Sequence, residues 1–192
     1  RDYKLKSYTK ENIMANTTFD GPVRSKNGFQ SIGPGAVPAL TAATDLTVAA
    51  HAGRVVTMDP VGTPTAITLP TINATADAAT AGPGSDPNNP NTIGTTFEIF
   101  FSDNFTGSIS TDGTDKFVGS VMIGVNDGAK KAFVPAASND VINLLGEAGS
   151  GNATKGGLAG SRIKFTAIAD NKYMVEGLLI GDGTIVTPFA DA

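Results

Sequence analysis

The chain predicts an all-β fold, an antiparallel β-sandwich or jelly-roll-like barrel over residues 39–192, preceded by an extended N-terminal arm over residues 1–38. Three observations carry that expectation. Of 192 residues, 23 are Gly and 11 are Pro, and only 17% are charged; such a makeup suits short strands and tight turns better than packed helices. Beyond Pro38, apolar residues recur with period two in short runs closed by Gly, Pro, Asn or Asp, the pattern of half-buried strands. No helical period is sustained for more than a turn or two.

Residues 1–13 (RDYKLKSYTKENI) carry much of the positive charge and give way abruptly to Met14-Ala15-Asn16-Thr17-Thr18-Phe19. Lys10-Glu11 fits a purine-rich ribosome-binding run just upstream of the Met14 codon, so translation is expected to begin at Met14. The segment Thr17 to Pro38 has turn dipeptides at Asp20-Gly21, Asn27-Gly28 and Gly33-Pro34 and no sustained period. Backbone of this kind cannot bury itself. Its isolated apolar side chains, Phe19, Val23, Phe29 and Ile32, are expected to anchor on another surface.

After the arm the expected strands follow in order. Leu46 to Ala50 leads to Arg54 to Met58, where Val56 and Met58 share one face and Val55 takes the other. Thr65 to Leu69 sets Ile67 and Leu69 against threonines and stops at Pro70. Thr71 to Asn91 is rich in small and turn-forming residues and reads as an exposed loop. Thr95 to Phe101 places Phe97, Ile99 and Phe101 on one face and Glu98 and Phe100 on the other; as the most aromatic segment it is expected inside a sheet. Gly107 to Thr111, Lys116 to Val125, Ala129 to Val134 and Asp140 to Leu145 continue the spacing, with hairpin turns expected at Asp112-Gly113 and Asn126-Asp127-Gly128. Gly146 to Gly160 reads as a second, flexible loop. Arg162 to Ala169, with Ile163, Phe165 and Ala167 inward, turns at Asp170-Asn171 into Lys172 to Leu179, and Gly181-Asp182-Gly183 leads to Thr184 to Phe189. Eight to ten strands are expected in all.

The same residues exclude much chemistry. The chain has no Cys and one His, which removes disulfides and thiolate ligands and leaves zinc and haem sites of the usual kinds without ligands. His51 is the only candidate base for a catalytic triad. It stands in Ala49-Ala50-His51-Ala52-Gly53 with no Gly-x-Ser-x-Gly elbow in the chain, and is expected to be a turn histidine. The run Gly146 to Gly151 lacks the Lys and Ser/Thr of a phosphate loop, having Asn152 and Ala153 instead. Carboxylates gather in turns at Asp103, Asp112, Asp115, Asp127, Asp170 and Asp182, without the spacing of a calcium loop. No catalytic, cofactor-binding or metal-binding residue is therefore expected. A net charge of −4 and a pI near 4.9 oppose approach to a phosphate backbone, so nucleic acid is not an expected partner. No apolar run approaches the roughly 20 residues of a membrane helix, so neither is a membrane.

Two stretches carry a resemblance. MANTTFDGPVRSKNGFQSI (Met14 to Ile32) resembles the opening of virion structural proteins of marine tailed bacteriophages. AGRVVTMDPVGTPTAITLPT (Ala52 to Thr71), then Gly94-Thr95-Thr96-Phe97-Glu98-Ile99, and downstream Asn171-Lys172-Tyr173-Met174-Val175-Glu176-Gly177, is similar to a β module of phage capsid-decoration and fibre proteins. The late strand there usually reads Asn-Trp-Tyr, and this chain, which has no Trp, has Lys172 in the middle position. The resemblance implies a capsid decoration (cement) protein on the outside of a phage head, often trimeric, with the major capsid protein as partner. It further implies that residues 17–34 lie on the capsid or an adjacent subunit. Phe19, Val23 and Phe29 would then sit in apolar pockets, Pro22 and Ile32 beside them, and Arg24 would pair with a carboxylate. The alternative is a fibre or knob-type host-recognition protein that binds glycan. That role calls for exposed aromatics in the loops, and Thr71 to Asn91 and Gly146 to Gly160 contain none.

Overall fold

The computed structural model describes residues 39–58, 65–74, 92–125, 128, 130–147 and 151–192. The arm and its expected anchors Phe19, Pro22, Val23, Arg24, Phe29 and Ile32 lie outside the described residues. The described chain is all-β, in a two-sheet, sandwich-like arrangement. The strands are β1 (Ala39–Leu40), β2 (Thr44–Asp45), β3 (Val55–Met58), β4 (Thr65–Thr68), β5 (Thr96–Phe101), β6 (Thr106–Ser110), β7 (Lys116–Val125), β8 (Lys130–Phe133), β9 (Val141–Leu145), β10 (Arg162–Ala169), β11 (Lys172–Gly181) and β12 (Phe189–Ala190). One sheet has seven strands in the order β1-β3-β5-β10-β11-β7-β8, and the other five in the order β12-β9-β6-β4-β2.

The expectation of antiparallel sheets does not hold, because both sheets are mixed. β1 pairs parallel with β3, β3 with β5 and β11 with β7, while β2 with β4 and β4 with β6 are parallel in the second sheet. The reason lies in the path of the chain. From β3 to β7 each successive strand changes sheet, and a chain that reverses at each crossing returns to a sheet pointing the way it left. Turn residues specify the reversal and not the destination. Asp112-Gly113 therefore joins β6 to β7 across the two sheets and is not a hairpin turn. Asp112 Oδ1 accepts the N–H groups of Thr114 and Asp115 at 2.9 and 3.0 Å, a side-chain mimic of a backbone turn. Among the described strands, the two consecutive pairs that do form hairpins are β7–β8 and β10–β11. The second turns at Asn171, whose φ of 57° is a left-handed value that Asn tolerates.

Alternation decides the core. Phe97, Ile99 and Phe101 of β5, Ile163, Phe165 and Ala167 of β10, and Tyr173 and Val175 of β11 point inward and are buried, as are Val56 and Met58 of β3. They meet Ile67, Ile109, Ile142 and Leu144 of the second sheet in one cluster. Phe101 stacks on Phe105 at 5.3 Å, and Phe117 contacts Phe165 and Phe189 at 5.6 and 6.5 Å. Burying each such ring stabilises the fold by about 1.5–3 kcal/mol. β5 is internal, between β3 and β10, as its aromatic content requires.

Two local expectations are corrected. Leu46 to Ala50 is not a strand: Val48–His51 form a one-turn helix, α1, because the Thr47 side chain caps it by accepting the N–H of Ala50, and Leu46 is buried ahead of it. The Gly146 to Gly160 segment, expected to be flexible, packs closely over its described part. Phe105 N–H donates to Gly157 O at 2.7 Å, Leu145 N–H to Gly156 O at 3.0 Å and Gly160 N–H to Phe101 O at 2.8 Å. The glycines serve close backbone approach rather than freedom: Gly157 has φ +105°, and a Cβ there would stand 2.5 Å from Phe105 O. The segment Thr184 to Phe189 is likewise strand only at its end, Phe189–Ala190.

Candidate functional site

Several residues singled out for chemistry are occupied locally. His51 closes α1, and its Nδ1 lies 2.9 Å from the backbone N–H of Thr47, which donates to it. It belongs to a cap. Asp182 Oδ2 accepts Gly151 N–H at 2.9 Å and Asn104 Oδ1 accepts Ala159 N–H at 2.9 Å, so these side chains pin loops to the sheet ends. Asp127 and residues 148–150 lie outside the described residues. Among the described residues no group of three or more His, Asp or Glu is placed to hold a metal ion, and no helix is long and apolar enough to cross a membrane.

One carboxylate pair stands apart. Asp115, at the head of β7, is wholly buried; its Oδ2 accepts Ile72 N–H at 2.8 Å, and its Oδ1 has no hydrogen-bond partner. Burial, reinforced by the charges of Asp112 and Asp170, pushes its carboxyl above the ordinary value despite the Ile72 hydrogen bond. Asp112 goes the other way: burial would raise it, but hydrogen bonds from the Asp115 and Thr114 N–H groups and the Thr71 side chain bring it below its ordinary value. A pair split in this way marks acid and base in many active sites. Here Asp115 is sealed from solvent, and both carboxylates grip the strap formed by residues 70–73, which Tyr173 also holds through its O–H to Pro70 O at 2.6 Å. The pair is a clamp. A folded-state value raised above the unfolded one means that stability is fully present below the unfolded value and falls as pH rises through the folded one. Asp115→Asn keeps an acceptor for Ile72 and removes the titration. Its urea midpoint is expected to exceed that of the parent at pH 7 and to converge on it near pH 3.

What remains is surface. On the five-stranded sheet a shallow depression of about 420 Å³ is lined by Thr106, Ser108, Asn143, Leu145 and Lys155 among others, with no aromatic ring. The outer face of the seven-stranded sheet is different. Register carries one row of residues straight across it: Thr57 opposite Phe100, Phe100 opposite Arg162, Arg162 opposite Leu178, Leu178 opposite Met122 and Met122 opposite Ala132. Phe100, Met122 and Leu178 are 37%, 46% and 56% exposed. The next row along the strands is charged: Glu98 faces Lys164, and Lys164 faces Glu176. Arg162 Nε lies 2.6 Å from Glu98 Oε1 and Lys164 Nζ 3.1 Å from Glu176 Oε1.

Sequence reasoning set Phe100 with Glu98 on the face opposite Phe97, Ile99 and Phe101 but drew no site from it. The signal was a large apolar residue on the polar parity of a strand, and it needed the register to become a patch. No protein-family model matches this chain, and no curated protein and no solved structure matches it either.

Proposed function

We propose that this chain is a non-catalytic virion structural protein: a capsid decoration protein, homo-oligomeric and, as the resemblance implies, trimeric, that binds the major capsid protein on the outside of a phage head. The observation that carries this reading is the aligned apolar row Phe100, Leu178 and Met122 on an open sheet face, because exposed apolar surface of this kind marks association surfaces. The resembling segments support it. Of the β-module pieces, Ala52 to Thr71 spans β3 and, in the other sheet, β4; Gly94 to Ile99 enters β5, the neighbour of β3; and Asn171 to Gly177 supplies part of β11, one strand beyond β10.

In this reading residues 17–34 act as a strap. An extended segment that orders on its partner covers a large area for its length, and Phe19, Pro22, Val23, Phe29 and Ile32 supply its apolar contacts while Arg24 meets a carboxylate. Deleting Met14 to Ile32 is expected to abolish incorporation into heads, measured as bound copies per particle, while residues 39–192 keep their far-ultraviolet circular dichroism. Unchanged occupancy would overturn the reading. Many copies per head support decoration, whereas a few copies at one vertex or at the tail would instead indicate a fibre.

A further inference from the structure

We infer that the outer face of the seven-stranded sheet is a self-association surface whose occupant is a second copy of this chain. The inference deepens the reading that the chain works through the surfaces it covers, by naming one surface and its partner.

Three observations lead there. The first is composition. The transverse row holds Phe100, Arg162, Leu178 and Met122, and aromatic residues, Met and Arg are the types enriched in interface cores. A solvated sheet face would carry polar side chains at these positions.

The second is charge. Residues 39–192 contain eight basic and fifteen acidic residues, so two copies of the domain repel each other over most of their surface. The centre of this face is an exception, where two acids and two bases, Glu98, Glu176, Arg162 and Lys164, neutralise one another in pairs. A like-charged copy can approach here without that repulsion, and an alternating acid–base row can exchange partners with its own image. A strongly basic or acidic partner would gain nothing from such a patch.

The third is area. Seven strands of two to ten residues, at about 3.3 Å per residue and about 4.8 Å spacing, give a face of roughly 700 Å². That is close to the about 800 Å² per partner of a stable interface. A depression of about 270 Å³ beside the row, lined by Arg162, Lys164, Glu176, Gly177 and Leu178, offers a seat for a side chain of the second copy.

The test is the solution mass of the full chain by sedimentation velocity, compared with Leu178→Asp and Met122→Lys. Both side chains are about half exposed, so both variants are expected to fold and to keep the circular dichroism spectrum of the parent. The parent is expected to sediment as an oligomer and both variants as monomers. Ala66→Asp, at an exposed position on β4 of the five-stranded sheet, serves as control and is expected to leave the oligomer intact. A monomeric parent overturns the inference, and so does an oligomer that survives both charged substitutions. Head binding is scored separately. A monomeric parent that still decorates heads through this face would assign the face to the capsid, refuting the inference while leaving the decoration reading in place; an oligomer that binds no heads would do the opposite.

Discussion

Truncating Phe165 to alanine is expected to cost about 3–5 kcal/mol, the usual range for removing a buried aromatic ring from a core. Phe165 lies on β10, the middle strand of seven. It is fully buried, with Phe97 on β5 and Val175 on β11 as register partners and the Phe117 ring at 5.6 Å. The hole would be walled on three sides by backbone in ladder hydrogen bonds, which limits how far it can collapse. Domains of this size are held by about 5–15 kcal/mol, so the variant is expected to fold with most of its margin gone. Urea unfolding checks this: the midpoint should fall with little change in slope. Ile168, three residues along the same strand and 44% exposed, is the control. Ile168→Ala should stay within about 0.5 kcal/mol of the parent. A small loss at Phe165 would mean that the two sheets do not share one core.

That Phe165 faces inward was legible in the sequence, because Ile163, Phe165 and Ala167 alternate with Lys164 and Thr166 in a run too short and too regular for a helix. The same alternation was legible in β3, β5 and β11. The allocation of strands to sheets was not. Alternation reports which side of a strand is buried, and Asp-Gly or Asn-Gly reports that the chain turns, but neither says which sheet receives the next strand. The Asp112-Gly113 turn shows the gap: its Asp112 side chain builds the turn from local bonds that would serve equally well in a hairpin. α1 was missed because one threonine cap outweighed the apparent strand pattern of Leu46 to Ala50. The packed loop before β10 was missed because glycine was taken for freedom where it marks close contact. The apolar row on the outer face was half legible. Phe100 and Leu178 could be placed outside from parity alone, but their alignment with Arg162 and Met122 comes from a parallel pairing, β11 with β7, that joins strands some fifty residues apart in sequence.

Lys116→Met is expected to destabilise the protein by about 1–3 kcal/mol at pH 7 and to reverse the sign of its pH dependence. Lys116 Nζ lies 2.6 Å from Asp140 Oδ2, joining the head of β7 in one sheet to the entry of β9 in the other; the two side chains are 32% and 6% exposed. The magnitude falls between a fully buried pair, whose breakage costs about 3–5 kcal/mol, and a surface pair worth at most about 1. Burial by itself would raise the Asp140 carboxyl, but the hydrogen bonds from Lys116 and from Ala192 N–H, with the Lys116 charge, hold it below its ordinary value. In the parent, a folded value below the unfolded one makes this contribution complete above the unfolded value near 3.8 and lost as pH falls through the folded one. Without Lys116, burial is opposed mainly by the Ala192 hydrogen bond at 2.9 Å, and the carboxyl moves up. The variant should then gain stability relative to the parent as pH is lowered from 7 toward 4, since protonation relieves an uncompensated charge. Unfolding midpoints of both proteins across that range decide it. Parallel curves would mean that the ion pair contributes nothing, and that the two strand heads are held by backbone bonds alone, Phe117 N–H to Asn139 O and Thr111 N–H to Asp140 O.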